Sequence, residues 1–363
     1  MKKTARFAAL VGTLALVAAA CGDAPDEDTA GGGSTGGAEE TSDFQACMVT
    51  DSGGIDDRSF NATAWKGLQD AESELGITAK YVESNSETDF APNVNQLVSD
   101  DCGIIVTVGF LLGDATKEAA EANTEEQFAI VDFGYDEPID NVKPLIFDTA
   151  QAAFLAGYVA AGTTQTGTVA TFGGINIPTV SIFMDGFYDG VQYHNEQKGT
   201  DVQVLGWDKA AQNGSFTGDF QNQANGQNLA NTFIQQGADI IMPVAGPVGL
   251  GAAAAAQEAG DVKIIGVDSD WYESAEQYKA IVLTSVLKRI DNAVFDATEQ
   301  AVNGEYSAEA YVGTLENEGV GIAPFHDFDA EVSDELKSEI EDLTSQIVDG
   351  SLTVESPSSP ATS

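Results

Sequence analysis

Hydrophobic and polar positions alternate in a regular order from residue 44 onward. The apolar run at 44–50 reads as a strand, and the stretch 61–76 that follows has apolar residues at helical spacing. These residues are Trp65, Leu68, Ala71 and Leu75. Gly76 is a typical helix stop. The pattern therefore predicts a strand followed by a helix.

The same alternation continues to residue 288. Further strands are predicted at 79–84, 103–109, 127–133, 144–149, 167–174, 202–207, 238–246, 262–269 and 280–288. Helices are predicted between them at 89–99, 114–123, 150–163, 178–197, 220–237 and 249–260. Near-continuous apolar strands separated by helices are typical of a parallel sheet covered on both faces, and the series occurs twice. We therefore predict an α/β fold with two doubly wound lobes.

The remaining chain predicts a helix at 289–305, an extended stretch at 311–324 and an amphipathic helix at 333–350. The tail at 351–363 is predicted to be disordered. If 280–288 leads to a crossing between the lobes, the lobes divide the chain unevenly. The first lobe is then 44–149 plus about 286–310, and the second lobe is 150–285 plus about 311–350.

The N-terminal residues resemble an export signal. Residues 1–20 combine a basic start with an apolar run that is too short to span a membrane as an ordinary helix. Cys21 follows directly, and residues 22–43 form a tether rich in Gly, Ser, Thr and acidic residues. We predict a secretory signal followed by a lipidated Cys21. The alternative is an ordinary cleaved signal peptide with an incidental cysteine.

Charge limits the class of partner. The chain has 58 acidic and 15 basic side chains and a formal net charge of −43. Such a chain repels phosphate backbones. Nucleic acid is therefore not an expected partner.

Two cysteines remain once Cys21 is assigned to a lipid. Cys47 lies early in the first predicted strand, and Cys102 lies just before the third. These strands are commonly neighbours in a doubly wound sheet. In an exported, oxidising compartment we predict a disulfide between the two, with two reduced buried thiols as the alternative.

The sequence offers little for catalysis. Neither His194 nor His326 lies in the pattern of a serine triad or a zinc site, and no GxxxxGK[ST] phosphate loop occurs. Asp56 and Asp57 fit the capping of a helix start better than hydrolysis or calcium binding. We predict a protein that is not an enzyme and uses no metal or cofactor.

Ligands of doubly wound sheets bind beyond the carboxyl ends of the strands. The residues at such positions are Asp51, Gly109, Phe110 and Asp132 in the first lobe, and Trp207, Ala245, Gly246 and Asp268 in the second. Two lobes that face each other across these residues predict a cleft.

The stretch TDSGGIDDRSFNATAWKGL at 50–68 places an aromatic residue between a strand and a helix. Asp51 can accept two hydrogen bonds from neighbouring hydroxyls, as on a ribose. Phe60 can stack on a flat ring, with Ser59 and Asn61 beside it at the helix start. A hydrophobic staple or a core contact is the alternative role for Phe60.

This stretch resembles the basic membrane protein family of bacterial lipoproteins, which includes the purine nucleoside receptors of ABC transporters. The likeness continues in order through TVGFLLGDA, FGGINIPTV, NGSFTGDFQNQANGQNLANTFIQQGADIIMPVAGPVGLGA, IIGVDSDW, LTSVLKR and GTLENEGVGIAPF, from about residue 45 to 328. It implies the type I periplasmic-binding-protein fold, in which two lobes joined by a three-stranded hinge close on a nucleoside.

The resemblance also implies roles for the matching positions. Phe60 would stack on one face of the base, and Phe216 would cover the other face, with Phe183 and Phe187 as alternatives. The base edge would be read by Asp132 and by Ser59 or Asn61. The ribose hydroxyls would be held by Asp51, Gly246, Asp268 and Lys288.

Together these inferences predict a lipid-anchored, monomeric binding protein on the extracytoplasmic face of the cell membrane. It would capture nucleosides, purines in particular, and deliver them to an ABC permease. A sugar or another small polar solute is the alternative ligand. A surface sensor lipoprotein is the alternative class of protein, and a nucleoside-processing enzyme is a third.

Overall fold

A computed structural model of the protein describes residues 43–360. In that part of the chain two six-stranded sheets are flanked by helices. The prediction of an α/β fold with two doubly wound lobes is therefore confirmed. The predicted signal peptide, Cys21 and residues 22–42 lie outside the described residues, as do residues 361–363.

The first lobe is built from the strands and helices up to Phe147. Its elements are β1 (Gln45–Val49), α1 (Phe60–Leu75), β2 (Thr78–Val82), α2 (Phe90–Ser99), β3 (Ile104–Val108), α3 (Gly113–Ala122), β4 (Phe128–Val131) and β5 (Val142–Phe147). Short 3-10 turns at Glu87–Asp89 and Phe110–Leu112 precede α2 and α3. The strands are parallel in the order β5-β4-β3-β1-β2. Both β3 and β4 are buried along their whole length, as expected for a sheet covered on both faces.

The second lobe begins at Thr149. Its elements are α4 (Thr149–Thr163), β6 (Thr168–Gly173), α5 (Pro178–Lys198), β7 (Gln203–Leu205), β8 (Trp207–Asp208), β9 (Asn213–Gly214), α6 (Gln223–Gln235), β10 (Ile240–Val244), α7 (Pro247–Ala259), β11 (Lys263–Asp268), α8 (Trp271–Ser274) and β12 (Val282–Lys288). A 3-10 turn at Glu276–Ile281 leads into β12. The parallel strand order is β12-β11-β10-β6-β7, and β8 and β9 form a separate antiparallel pair. Helices α4 and α5 pack so closely that a Cβ atom at Gly190 would lie 1.9 Å from Phe154 O.

The last elements return to both lobes. They are α9 (Ile290–Val302), β13 (Tyr311–Gly313), β14 (Val320–Ile322), a 3-10 turn at His326–Phe328, and α10 (Asp334–Val348). Helix α9 packs on α1 and strand β13 pairs in parallel with β5, so both belong to the first lobe. Strand β14 pairs in antiparallel fashion with β12, and α10 packs on α4, so both belong to the second. Three hinge segments therefore connect the lobes, at Asp148, Arg289 and 314–319.

Two lobe boundaries differ from the prediction. Residues 286–288 belong to the second sheet, because β12 pairs with β11 and β14 as far as Lys288. The stretch 311–324 is divided between the sheets, since β13 lies in the first and β14 in the second. The hinge lies between them at the polar stretch 316–319, where the Asn317 side chain makes the turn by accepting hydrogen bonds from Thr314 N and Gly319 N.

The prediction of a disordered tail is wrong for residues 351–360. Val354 is buried, and the Ser356 hydroxyl donates to Asp185 Oδ2 at 2.6 Å. The tail is held by hydroxyl and backbone groups whose partners lie more than a hundred residues away in the sequence. A polar, serine-rich composition therefore concealed a segment that packs on the second lobe.

Cys47 and Cys102 are joined by a disulfide in the first lobe, with their Cα atoms 6.0 Å apart. Strands β1 and β3 are hydrogen-bonded neighbours, and the pairing of Ala46 with Ile104 places Cys47 and Cys102 near the starts of the two adjacent strands. Both cysteines are buried.

We expect replacement of both cysteines by alanine to destabilise the protein. The bond closes a loop of 55 residues, and a loop of that length corresponds to about 4 kcal/mol in the chain-entropy model. Urea unfolding of the double variant and of the oxidised protein measures the difference in the free energy of unfolding. Equal unfolding midpoints and slopes would contradict a stabilising role for the bond.

Candidate ligand-binding site

A cavity lies between the two lobes, where the strands of both sheets end. The ends of β1, β3 and β4 and the start of α1 form its wall in the first lobe. The ends of β10, β11 and β12 and the starts of α5 and α7 form its wall in the second. The empty space is about 600 Å³, including the part that is open to solvent. The cavity therefore occupies the position that the strand-end rule predicts.

The glycine turn after β1 fixes the Asp51 carboxylate. Asp51 Oδ1 accepts hydrogen bonds from Gly53 N at 2.9 Å and from Asn61 Nδ2 at 2.8 Å. Gly109, at the end of β3, makes room for it, because a Cβ atom there would lie 3.2 Å from Asp51 Oδ2. Burial raises the pKa of Asp51, while the bonds from Asn61 and Gly53 oppose the rise.

Asp57 caps the start of α1. Its carboxylate accepts backbone N–H bonds from Ser59, Asn61 and Ala62 at 2.7–3.0 Å. The role matches the capping that the sequence predicts for the Asp56–Asp57 pair, and Asp57 also lines the cavity. Burial nevertheless raises the pKa of Asp57 to about 7, and the nearby Asp51 carboxylate adds to the rise.

Lys288 is the cation among the described residues that line the cavity. It ends β12 in the second lobe, and its ammonium group forms an ion pair with Asp132 Oδ2 at the end of β4 in the first. Lys288 is 2% exposed and Asp132 is 7% exposed, so the pair is largely dry. The ammonium also lies 4.9 Å from the centre of the Phe60 ring and 5.3 Å from that of Phe147.

Asp268 forms a direct link between the lobes. Its Oδ2 atom lies 2.7 Å from the Ser59 hydroxyl, which donates to it from the start of α1. Burial raises the pKa of Asp268, and Lys288 and the Ser59 hydroxyl oppose the rise. Asp268 and Asp132 both have left-handed backbone conformations, with φ of 67° and 68°. This conformation costs roughly 1–2 kcal/mol per residue.

Contacts at the rim complete the closure of the lobes. Arg58 Nη1 donates to Gln277 Oε1 at 2.7 Å, and the Ser269 hydroxyl donates to Arg58 O at 3.0 Å. On another part of the rim the Gln221 amide donates to Ser52 O. The lobes are therefore in contact around the cavity.

Aromatic residues give the cavity its apolar surfaces. Phe60 lines it from the first lobe, as predicted, together with Phe110. Phe220 lines it from the second lobe. Phe216, predicted to cover the opposite face of the base, lies outside the cavity, since its ring packs edge-on against Trp207, 6.1 Å between ring centres, and lines a separate surface groove.

Seven of the nine predicted ligand-binding residues line the cavity. They are Asp51, Phe60, Asn61, Asp132, Gly246, Asp268 and Lys288. Ser59 lies behind the wall, where its hydroxyl is occupied by Asp268, and the alternatives Phe183 and Phe187 are buried in the second lobe. Phe220 was missed although it lies in the same sequence segment as Phe216. Phe110 stands at a strand end that the sequence had identified.

A protein-family model described as ABC transporter substrate-binding protein, PnrA-like, matches residues 44–357. The chain belongs to this family. Its members are substrate-binding components of transporters and not enzymes, which confirms the prediction of a binding protein. The prediction of a basic-membrane-protein relative is also confirmed, since the basic membrane protein A of Borreliella burgdorferi is 30% identical over 84% of this chain and 86% of its own.

Two further relatives are similar over most of their length. A CD4+ T-cell-stimulating antigen of Listeria innocua is 32% identical, covering 93% of this chain and 94% of its own. An ABC transporter nucleoside-binding protein, BmpA, of Lactococcus lactis is 31% identical, covering 86% of this chain and 90% of its own.

Solved structures confirm the fold class. An ABC transporter solute-binding protein from Aeropyrum pernix has a TM-score of 0.77 at 26% identity, over 86% of this chain and 94% of its own. An arabinose-binding protein from Geobacillus stearothermophilus has a TM-score of 0.57 at 16% identity, over 80% of this chain and all of its own, and shows the fold alone. The protein has the type I periplasmic-binding-protein fold.

Relatives of the family include lipoproteins. One from Pyrococcus abyssi is 30% identical, over 87% of this chain and 79% of its own. Between residues 43 and 360, none of the helices combines the length and the apolar character needed to cross a bilayer.

The raised pKa of Asp57 predicts how stability depends on pH. A carboxyl group whose pKa is higher in the folded state, here about 7 against 3.8, stabilises the fold at low pH. This contribution is lost as the pH rises from about 4 to about 7, and the raised pKa of Asp51, Asp132 and Asp268 acts in the same direction. We therefore expect the ligand-free protein to melt at a higher temperature at pH 5 than at pH 8.

Substitution separates the contribution of Asp57 to the pH dependence of stability from that of the other acids. Asp57→Asn should reduce the difference in melting temperature between pH 5 and pH 8, whatever its effect on stability at either pH. Asp56→Asn is the matched control, because Asp56 is exposed whereas Asp57 is buried. Equal pH dependence in the two variants would contradict the role of Asp57.

Proposed function

We propose that the protein captures nucleosides, with a preference for purine nucleosides, in the interlobe cavity and delivers them to an ABC permease. A lipid on Cys21 would hold it on the extracytoplasmic face of the cell membrane. The observation that carries the proposal is the Phe60 ring in the cavity wall beside convergent carboxylates and a buried ammonium group. The nucleoside-binding relative from Lactococcus lactis supports it.

The chemistry of a nucleoside fits these walls. Its base is a flat ring that can stack on an aromatic face, and Phe60, Phe110 and Phe220 supply such faces. Its ribose carries hydroxyl donors, and Asp51 and Asp268 supply carboxylate acceptors. Lys288 can donate to a ribose oxygen while it remains paired with Asp132. Enclosure between the lobes strengthens each of these bonds because water is excluded.

Charge argues against phosphorylated ligands. The lining residues include the four acids Asp51, Asp57, Asp132 and Asp268, against the cation Lys288. A phosphate group would add negative charge without a free cation to pair with. The proposal is therefore restricted to the neutral nucleoside.

Calorimetric titration of the purified protein tests the ligand class. After unfolding and refolding to remove carried-over ligand, we expect saturable binding of adenosine, guanosine or inosine. Adenosine monophosphate should bind at least a hundredfold more weakly than adenosine. Binding of ribose or arabinose without binding of any nucleoside would show that the ligand is a sugar and not a nucleoside. If none of these compounds binds, a sensor of another signal is favoured.

Substitution of Phe60 tests the stacking surface. Phe60→Ala should weaken purine nucleoside binding at least about fivefold, since stacking of an aromatic residue on a base contributes roughly 1–3 kcal/mol. Phe216→Ala is the matched control, because it removes an aromatic ring that lies outside the cavity. Titration of both variants should show a loss for Phe60→Ala and less than a threefold change for Phe216→Ala. The reverse order would contradict the assignment.

A further inference from the structure

Residues 351–360, here called the C-terminal segment, lie beside the binding cavity. A side cavity adjoins the binding cavity near the hinge, and the two share four lining residues. These are Phe110, Asp132, Thr179 and Lys288. Ser358 and Pro360 of the C-terminal segment line the side cavity as well. The C-terminal segment therefore forms a wall of a space that reaches the Asp132–Lys288 ion pair.

Side chains of the second lobe hold this wall in place. The Ser356 hydroxyl donates to Asp185 Oδ2 at 2.6 Å, and the Asp185 side chain is fully buried. Lys209 Nζ donates to Glu355 O at 2.6 Å, and Val354 packs into the core with 8% exposure. The C-terminal segment is thus fixed by both polar and apolar contacts.

The other end of the C-terminal segment reaches the hinge. The Ser359 hydroxyl donates to Asp148 Oδ1 at 3.0 Å. Asp148 lies between β5 and α4. Its backbone N–H donates at 2.8 Å to the carbonyl oxygen of Gly313, the last residue of β13 before the third hinge segment. The C-terminal segment therefore passes from the body of the second lobe to the point where the lobes join.

The ion pair that faces the side cavity depends on the exclusion of water. Opposite charges attract far more strongly in a medium of low dielectric constant than in water. Lys288 and Asp132 are 2% and 7% exposed with the C-terminal segment in place. We propose that the C-terminal segment seals the hinge side of the cleft and keeps water away from the Asp132–Lys288 pair.

A truncated protein tests the seal without any ligand. A chain that ends at Gly350 lacks the C-terminal segment but keeps α10, whereas a chain that ends at Pro360 keeps the segment and is the matched control. Acetic anhydride acetylates accessible lysine amines, and mass spectrometry gives the rate at each position. We expect the rate at Lys288 to rise at least tenfold in the chain that ends at Gly350 and to stay unchanged in the chain that ends at Pro360.

Lys143 reports on general unfolding. It is 7% exposed in the first lobe, where its amine donates to Glu309 O at 2.9 Å, away from the C-terminal segment. A rise at Lys288 with no rise at Lys143 would support the seal, and no rise at Lys288 would overturn it. If both rates rise in the truncated chain, the same acetylation rates are measured on the full-length Ser356→Ala variant. This variant loses the hydrogen bond to Asp185 and keeps the chain length. A faster rate at Lys288 alone would then support the seal, and unchanged rates would overturn it.

The effect on affinity rests on the proposed function. The chain that ends at Gly350 should bind adenosine at least tenfold more weakly than the intact protein. Its affinity should also depend more steeply on NaCl between 0.05 and 0.5 M, because a hydrated ion pair is screened by salt. Failure of the intact protein to bind any nucleoside would refute the proposed function, and the lysine rates would still decide the seal. Equal affinities for adenosine in the two proteins would remove the link between the seal and binding.

Discussion

The cleft depends on one interaction, the buried ion pair between the Lys288 ammonium group and the Asp132 carboxylate. A charge removed from water is costly unless it is paired, and Asp132 supplies the partner from the opposite lobe. The aromatic rings of Phe60 and Phe147 surround the same ammonium group. Because β12 ends at Lys288 directly before the second hinge segment, the pair joins the lobes beside one of the connections between them. Removing either partner would leave an uncompensated charge in the wall of the cavity.

The other acids of the cavity lie near the same ammonium group. Asp51, Asp57 and Asp268 lie within one cavity whose described lining has a single cation, and burial raises the pKa of each. A closed cavity without ligand therefore holds several buried carboxylates close to a single ammonium group of its described lining. A solute rich in hydroxyl groups supplies donors without adding charge. Under the proposed function, closure and occupancy are coupled, since a neutral polyol offsets the cost of burying the acids.

Much of the fold and site could be predicted because both depend on strand periodicity. Near-continuous apolar runs locate the strands, and the residues after them must lie at the edge where the cleft forms, which identifies Asp51, Asp132 and Asp268. Phe216 and Phe220 could not be told apart, because they follow a short β8–β9 pair in a loop without periodicity. The C-terminal segment was missed for a different reason. Its hydroxyl groups find carboxylates at Asp148 and Asp185, which no local pattern reveals.

The position of Ser59 changes which residue is free to read the edge of a base. Its hydroxyl is used by Asp268 to join the lobes, whereas the Asn61 side chain lines the cavity. Asn61 Nδ2 faces the carboxylates of Asp51 and Asp57, which require a donor, so Oδ1 is left as the acceptor. Within the described chain this Oδ1 atom is buried without a hydrogen-bond partner. An unpaired buried acceptor costs about 1–3 kcal/mol. A ligand that donates to Asn61 Oδ1 recovers that cost, and under the proposed function we expect an N–H group on the base to do so.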